Sequence, residues 1–348
     1  MIRCASSGRG RSETANRLRR VIDLAWGSRF EANGFEANEG AVMSLLVVGS
    51  VAFDSVETPG ASRDRVIGGS AVYCSYGASY FTAVCLVGVV GEDWPEDHTR
   101  WLRSRGIDTL GLETVAGART FHWKGKYLPD MNERETLELQ LNVFAEFDPN
   151  LPEEYRNCPF VFLANGAPTL QRKVLAQVAP PRFVVADTMD IWIHNELPAL
   201  KQLLREVDGL VLNDSEARLL TGSLNLVQAG HDVLRMGPRF VVIKKGEHGA
   251  MFFSEQETYA LPAFPTERVI DPTGAGDSFA GGMMGYLASR GEVGPDTLKT
   301  AIAYGTVVAS YNVEDFSLDR MKQIERADLV QRMKQYQTML NLDLPVVQ

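Results

Sequence analysis

The stretch Asp271-Pro272-Thr273-Gly274-Ala275-Gly276-Asp277-Ser278-Phe279-Ala280-Gly281-Gly282 decides how this chain is read. It sets a glycine-rich turn directly before a helix, which the pattern places over residues 278–288 with Gly291 as its stop signal. Free backbone N–H groups at a helix start attract anions, and the helix dipole adds to the attraction. Gly274 and Gly276 let the backbone approach a phosphate with no Cβ in the way. Asp277 is electrostatically out of place there, because a carboxylate repels the anion that the loop attracts. It makes sense as a base that takes the proton of a hydroxyl attacking that phosphate. A G-x-G turn with an Asp cap is also a common way to start a helix, so the rest of the chain has to decide.

Composition narrows the options. The 348 residues can bury one large core or two smaller ones, and the hydrophobic share of 45% is ordinary for a globular protein. A formal net charge of −9 argues against a nucleic-acid surface. Cys4, Cys74, Cys85 and Cys158 are scattered without a C-x-x-C pair, so reduced thiols in a cytoplasmic protein are the simple expectation. No apolar stretch reaches membrane-spanning length, and no membrane partner is expected. The five histidines form no metal-ligand spacing. There is no G-x-x-x-x-G-K-S/T loop, no G-x-S-x-G elbow, no H-E-x-x-H and none of the protein-kinase signatures.

Residues 1–42 differ from the rest of the chain: Arg3, Arg9, Arg11, Arg17, Arg19 and Arg20 crowd the start, and a Gly/Ala/Asn/Glu-rich segment comes next. An Arg-rich targeting segment, a flexible extension and a natural start at Met43 are three readings of it. The expectation is an extension dispensable for chemistry.

Beyond it, apolar strand patterns alternate with helical ones. Strands are expected at 45–51, 84–90, 160–164, 183–187, 209–212 and 240–244. Helices are expected at 69–80, 95–105, 170–178, 196–206, 215–220, 226–236, 296–311 and 321–340. Continuous apolar strands between helices argue for a parallel sheet covered on both faces, with ligands beyond the carboxyl ends of its strands. Segments 53–67 and 113–147 break the rhythm with alternating polar and apolar residues and read as an antiparallel excursion.

Further motifs fall at the ends of strands. Gly49-Ser50-Val51-Ala52-Phe53-Asp54 closes the first, and Gly68-Gly69-Ser70-Ala71-Val72-Tyr73 opens the first helix. Asn213-Asp214-Ser215-Glu216 and Lys244-Lys245-Gly246-Glu247-His248-Gly249 each come after a strand, as do Asn165 and Asp187. Each has a plain alternative as a turn or a helix cap. Gly88-Val89-Val90-Gly91-Glu92-Asp93 reads as a strand-to-helix turn. Together with the opening run these motifs closely resemble the PfkB/ribokinase family of small-molecule kinases over roughly residues 43–340.

That resemblance implies an α/β, ribokinase-like three-layer α/β/α sandwich spanning 43–348, with a mostly parallel central sheet and a small antiparallel β lid. The lid closes over the substrate and often pairs with another subunit's lid, so a homodimer is implied. The implied reaction is ATP-dependent phosphorylation of a hydroxyl of a sugar or sugar derivative. A nucleoside acceptor is the alternative, since Tyr73, Phe121 and Trp123 could stack on a base; a catalytically silent sugar- or nucleotide-binding regulator is another. Asp277 would be the general base, with the N–H groups of Gly274, Ala275 and Gly276 as an anion hole. Asp54, Gly68, Gly69, Tyr73, Asn165 and Asp187 would meet the substrate. Asn213, Lys244, Gly246, Gly249, Thr273 and Asn312 would border ATP, Glu216 would orient Mg²⁺-bound water, and Asp271 would sit at a K⁺ site. The chain departs from the pattern at Tyr73, where many members have Asn, and at Lys244, where many have Thr. Tyr73 is read as stacking on a ring or as core, and Lys244 as a phosphate contact or solvated.

Overall fold

Runs of β-branched and aromatic residues become buried strands in the computed structural model, which describes residues 44–341. The expected extension over 1–42, a start at Met43 and the last residues, 342–348, lie outside the described residues. The chain enters with β1 (Ser44–Val48), leaves through β2 (Ala52–Glu57) and β3 (Ser62–Gly68), and returns along α1 (Ser70–Ala78) to β4 (Ala83–Gly91). α2 (Glu96–Ser104) leads to β5 (Ile107–Val115), and a second excursion comes in β6 (Phe121–Tyr127) and β7 (Arg134–Gln140). Alternation then sets in with β8 (Phe160–Leu163), α3 (Pro168–Leu175), β9 (Phe183–Asp187), α4 (Asp190–Asn195) and α5 (Leu197–Leu203). It continues with β10 (Gly209–Asn213), α6 (Asp214–Thr221), α7 (Leu226–Leu234) and β11 (Phe240–Lys244). The hairpin β12 (Ala250–Ser254) and β13 (Thr258–Leu261) precedes α8 (Ala275–Arg290), α9 (Pro295–Asn312) and α10 (Arg326–Leu340).

Among the described residues the strands form two sheets. The large one has nine strands in the order β13-β12-β11-β10-β9-β8-β1-β4-β5. It is parallel from β5 to β11; β12 alone runs the other way, so that its pairings with β11 and with β13 are antiparallel. Both faces are covered, which is why its strands read as unbroken apolar runs. Leu46, Val48, Leu163, Leu212 and Ile243 join one core, while the alternate residues Leu45, Val47, Phe162, Val211 and Val242 are buried on the opposite face. Parallel strands share one carboxyl edge, and the register sets Asn213 beside Lys244 and Val211 beside Asp187 there. No helix among the described residues is long and apolar enough to cross a membrane.

The small sheet has the order β3-β2-β6-β7 and is made of the two excursions. Its outer pairings, β2 with β3 and β6 with β7, are antiparallel, whereas the central pair, β2 with β6, runs parallel. Residues 113–115 belong to β5 of the large sheet rather than to the lid. Val56 and Tyr127 pack on Phe316, fastening the lid to the segment after α9.

Three elements depart from the sequence pattern. The β12–β13 hairpin and the six-residue α4 are not foreseen by it. The final helix, expected over 321–340, is a 3₁₀ turn at Met321–Gln323 and then α10. Extended backbone at Ile324 and Glu325 separates the two, and Glu325 N–H donates to Asp328 Oδ2 at 2.8 Å to start α10.

Candidate active site

Helix α8 begins three residues earlier than its apolar pattern suggests, so Asp277 lies inside its first turn. Gly274 caps it with φ +75°, a conformation that L side chains avoid, and a Cβ there would run into the ring of Tyr73. The loop before it is held by buried hydrogen bonds. Thr273 N–H donates to Asp271 Oδ1 at 2.9 Å, and Ser317 N–H donates to Asp271 Oδ2 at 3.3 Å. Asn312 Nδ2 donates to the Thr273 carbonyl at 2.8 Å and its Oδ1 accepts from Ser278 Oγ at 2.9 Å. Asn312 thus ties the loop to the end of α9. Asp271 is fully buried, which raises its pKa, and no cationic side chain pairs with it among the described residues.

The first excursion carries Asp54, which is 5% exposed on β2. Tyr73 O–H donates to its Oδ2 at 3.3 Å, and a Cβ on Gly68 would collide with the carboxylate. Gly69, with φ +97°, lets α1 start against the Ser50 carbonyl. Burial first, then the charges of Asp271 and Asp277, push the Asp54 carboxyl up to about 7. Tyr73 is 1% exposed; its ring lies under Gly274 and its hydroxyl donates to Asp54. Asn165, after β8, accepts from Trp192 Nε1 at 2.8 Å on α4.

A second carboxylate group gathers at the ends of β9 and β10. Asp187 is 4% exposed and accepts from Thr188 N–H at 2.8 Å; Lys244 Nζ stands 3.5 Å from its Oδ2. Burial depresses the Lys244 pKa, but the charges of Asp187, Glu216 and Asp277 outweigh it and hold it above its ordinary value. Lys244 reaches the start of α8, its Nζ 2.9 Å from where a Cβ on Gly276 would be. Asp277, half-buried, is pushed up to about 7 by burial and the Asp187 charge, against Lys244 and Arg134. Asn213 and Glu216 cap α6 reciprocally: Glu216 N–H donates to Asn213 Oδ1 at 2.8 Å and Asn213 N–H to Glu216 Oε2 at 2.7 Å. Glu216 Oε1 has no partner among the described residues, and burial and Asp187 push this carboxyl up to about 7. No cluster of three or more His, Cys, Asp or Glu among the described residues forms a metal cage. One free hard oxygen among like charges suits a Mg²⁺ that keeps its waters and rides on phosphate. Gly246 and Gly249 both have positive φ, 53° and 85°, and shape the turn after β11.

The structure therefore brings Asp54, Tyr73, Asp271, Gly274, Asp277, Lys244, Asp187 and Glu216 to one edge. It adds residues that no motif announced. Tyr127 on β6 accepts from Thr273 Oγ1 at 3.3 Å, and Ser317 Oγ donates to the Ile67 carbonyl at 2.5 Å. Asn132, between β6 and β7, donates from Nδ2 to Glu247 Oε1 at 3.0 Å. Phe121 is half-buried and stacks on Phe144, centroids 5.6 Å apart, while Trp123 Nε1 donates to Thr136 Oγ1 at 3.3 Å within the lid.

A parallel sheet whose carboxyl edge faces a glycine-capped helix under a small β lid is the frame of ribokinase-type kinases. The chain belongs to the pfkB family of carbohydrate kinases, whose profile matches residues 45–323. It is accordingly a phosphotransferase with an alcohol group as acceptor. It is 31% identical over 259 residues to the cytidine kinase of Thermococcus kodakarensis, a match covering 72% of this chain and 90% of that protein. The nucleoside kinase of Burkholderia thailandensis in complex with inosine shares the fold, with a TM-score of 0.71 at 18% identity over 84% of this chain and 98% of that one. A putative ribokinase II of E. coli in complex with ATP and Mg²⁺ does so with a TM-score of 0.70 at 18% identity, over 84% of this chain and 99% of that one.

Proposed function

We propose that this kinase transfers the γ-phosphoryl group of ATP to a ribose hydroxyl of a nucleoside. The observation that carries this reading is that Asp54 and Asp277 face one space across Tyr73 and Gly274, close enough for the Asp277 charge to raise Asp54. A carboxylate accepts from vicinal hydroxyls, so Asp54 holds the ribose. Asp277 takes the proton of the attacking hydroxyl while its oxygen bonds phosphorus and the bond from phosphorus to the bridging oxygen of ADP breaks. A base poised at about 7 suits that task near neutral pH. The N–H groups from Gly274 to Asp277 meet the charge that develops on the phosphoryl oxygens, and Lys244 offsets it from the sheet side. Mg²⁺ supplies neutralisation of the nucleotide's phosphates, and Glu216 Oε1 would hold its water. Gly246 and Gly249 border the nucleotide. Asp271 and Thr273 would lie on the side of the loop that takes K⁺, if the enzyme uses it.

A nucleoside is preferred to the free sugar because aromatic rings gather around Asn165, to which a base could pack: Trp192 bonds it, and Phe144, stacked on the half-buried Phe121, lies 3.9 Å from where a Cβ on the adjacent Gly166 would be. The cytidine kinase relative supports the same choice. An ADP-release screen over nucleosides, pentoses, hexoses and sugar phosphates, with Mg²⁺ and with or without K⁺, tests it. At least about tenfold higher kcat/KM for a nucleoside than for free ribose is expected, a difference of about 1.4 kcal/mol. The reverse order would make the acceptor a free sugar, and no turnover on any acceptor would leave a silent binding protein. Leu137 and Leu139 are 48% and 43% exposed on the lid's edge strand β7, which supports a homodimer joined through the lid.

A further inference from the structure

We propose that Cys85 and Cys158 form a redox modification site, a dithiol that a peroxide converts to a disulfide and a thiol reductant restores. The site is separate from the kinase chemistry and does not depend on which acceptor the enzyme takes. Cys85 is the third residue of β4, and Cys158 lies two residues before β8. Strand β1 runs between those two strands in the sheet. The sulfurs nevertheless meet across 73 residues of sequence, Sγ to Sγ 3.7 Å. They meet at the amino edge of the sheet, where Ser44, the first residue of β1, donates from Oγ to Cys158 Sγ at 3.4 Å. Disulfide sulfurs stand about 2.05 Å apart, so the pair has to close by about 1.7 Å. Cys85 is only partly buried, which opens the pair to a molecule as small as a peroxide.

The two sulfurs have different parts. The Cys85 thiol, and after it the Ser44 hydroxyl, stabilise charge on Cys158 against its burial and lower its pKa to about 7. Cys158 and burial raise Cys85, and Asp108, opposite Cys85 on β5, opposes charge on either sulfur. The thiolate is the nucleophile in thiol chemistry, so Cys158 attacks first. Its Sγ bonds one peroxide oxygen as the O–O bond breaks and the other oxygen leaves as water, giving a sulfenic acid. Cys85 Sγ then bonds Cys158 Sγ, the S–O bond breaks and a second water leaves. Two thiols and one peroxide give one disulfide and two waters, with the sulfurs supplying both electrons and both protons. Burial pushes the Cys74 thiol up instead and leaves it inert. Once formed, the disulfide ties β4 to the entry of β8 across the start of β1. It restricts the unfolded chain over those 73 residues. Asp187 and Lys244 stand at the opposite, carboxyl edge, so the staple adds stability without touching the reacting groups.

The test treats the reduced full-length chain with a modest excess of hydrogen peroxide. Free thiols are then alkylated, and the digested chain is mapped by mass spectrometry. A peptide linking Cys85 to Cys158 is expected, and it should vanish after dithiothreitol. The disulfide form should melt at least about 5 °C above the reduced form, as closing a loop of that length predicts. Its kcat should stay within about twofold. Cys85→Ser, nearly isosteric, should give neither the linked peptide nor the rise in Tm. Peroxide should instead carry its Cys158 on to the sulfinic acid, which dithiothreitol does not reverse. Recovery of both wild-type thiols in the alkylated form, links spread over Cys4 and Cys74, or an equal or lower Tm of the linked form would overturn the assignment. So would a Tm rise that persists in Cys85→Ser. A fall in kcat of more than about tenfold on forming the link would overturn its separation from the active site. The mapping and the melts need no acceptor.

Discussion

Asp54, Glu216 and Asp277 are each pushed up to about 7, in every case first by burial. A carboxyl whose pKa is higher in the folded than in the unfolded chain favours folding only while protonated. Its contribution is complete below the ordinary carboxyl value of about 4 and is lost as pH rises through about 7. Free enzyme should therefore be less stable at pH 8 than at pH 5.5. Asp277→Asn, which keeps the shape and removes the charge, should have a higher Tm than wild type at pH 8. Turnover of the same variant should collapse by about 10²–10⁴-fold. Thermal melts and ADP release on one preparation check both, and near-normal kcat in Asp277→Asn would remove the base from the mechanism. In wild type, kcat/KM should climb through an apparent pKa of about 7 that belongs to the coupled carboxylates jointly. The special character of Asp277 was legible because a carboxylate beside an anion-attracting turn is a local contradiction. Ser317 and Trp192 carried no such sign: they reach the site from sequence-distant segments, and only the fold puts them there.

At the level of elements, β9 and β11 could be read to the residue, since a parallel strand buried on both faces is one uninterrupted apolar run. The β12–β13 hairpin escaped because its turn, Ser254-Glu255-Gln256-Glu257, lacks the Gly or Asn that marks tight turns. Helix α4 is too short to show a period, and a cap at Glu325 splits the last helix where its apolar spacing runs on unbroken. The lid was visible as alternation, but alternation carries no information about strand direction, so the parallel β2–β6 pair had to come from the structure. Its outer strand β7 is exposed along its whole length, with Leu139 opposite Trp123. If that edge meets the lid of a second copy, Leu139→Lys should shift the protein from dimer to monomer in sedimentation or light scattering, as charge on an edge strand opposes pairing. An unchanged mass would place any self-association elsewhere.

Across the whole molecule, α1 and α8 are fastened to each other by glycines. A Cβ on Gly77 would lie 2.9 Å from the Ser278 carbonyl, and one on Gly285 would lie 2.7 Å from the Ala78 Cα. Gly281 faces the Cys74 carbonyl with no room for any side chain. The second glycine pair of the Asp271–Gly282 run therefore serves helix contact rather than phosphate. Gly281→Val should destabilise by about 1–3 kcal/mol, the usual effect of overpacking a close contact, measurable as a lower urea midpoint. The same contact has a mechanical meaning. Helix α1 starts at Gly68-Gly69 and carries Tyr73; α8 starts at Gly274 and carries Asp277. The pair behaves as a caliper whose opening is set by backbone against backbone. Exchanges around the rim, at Trp192 or Phe121, are then free to alter which acceptor enters without changing the reach between its hydroxyl and phosphorus.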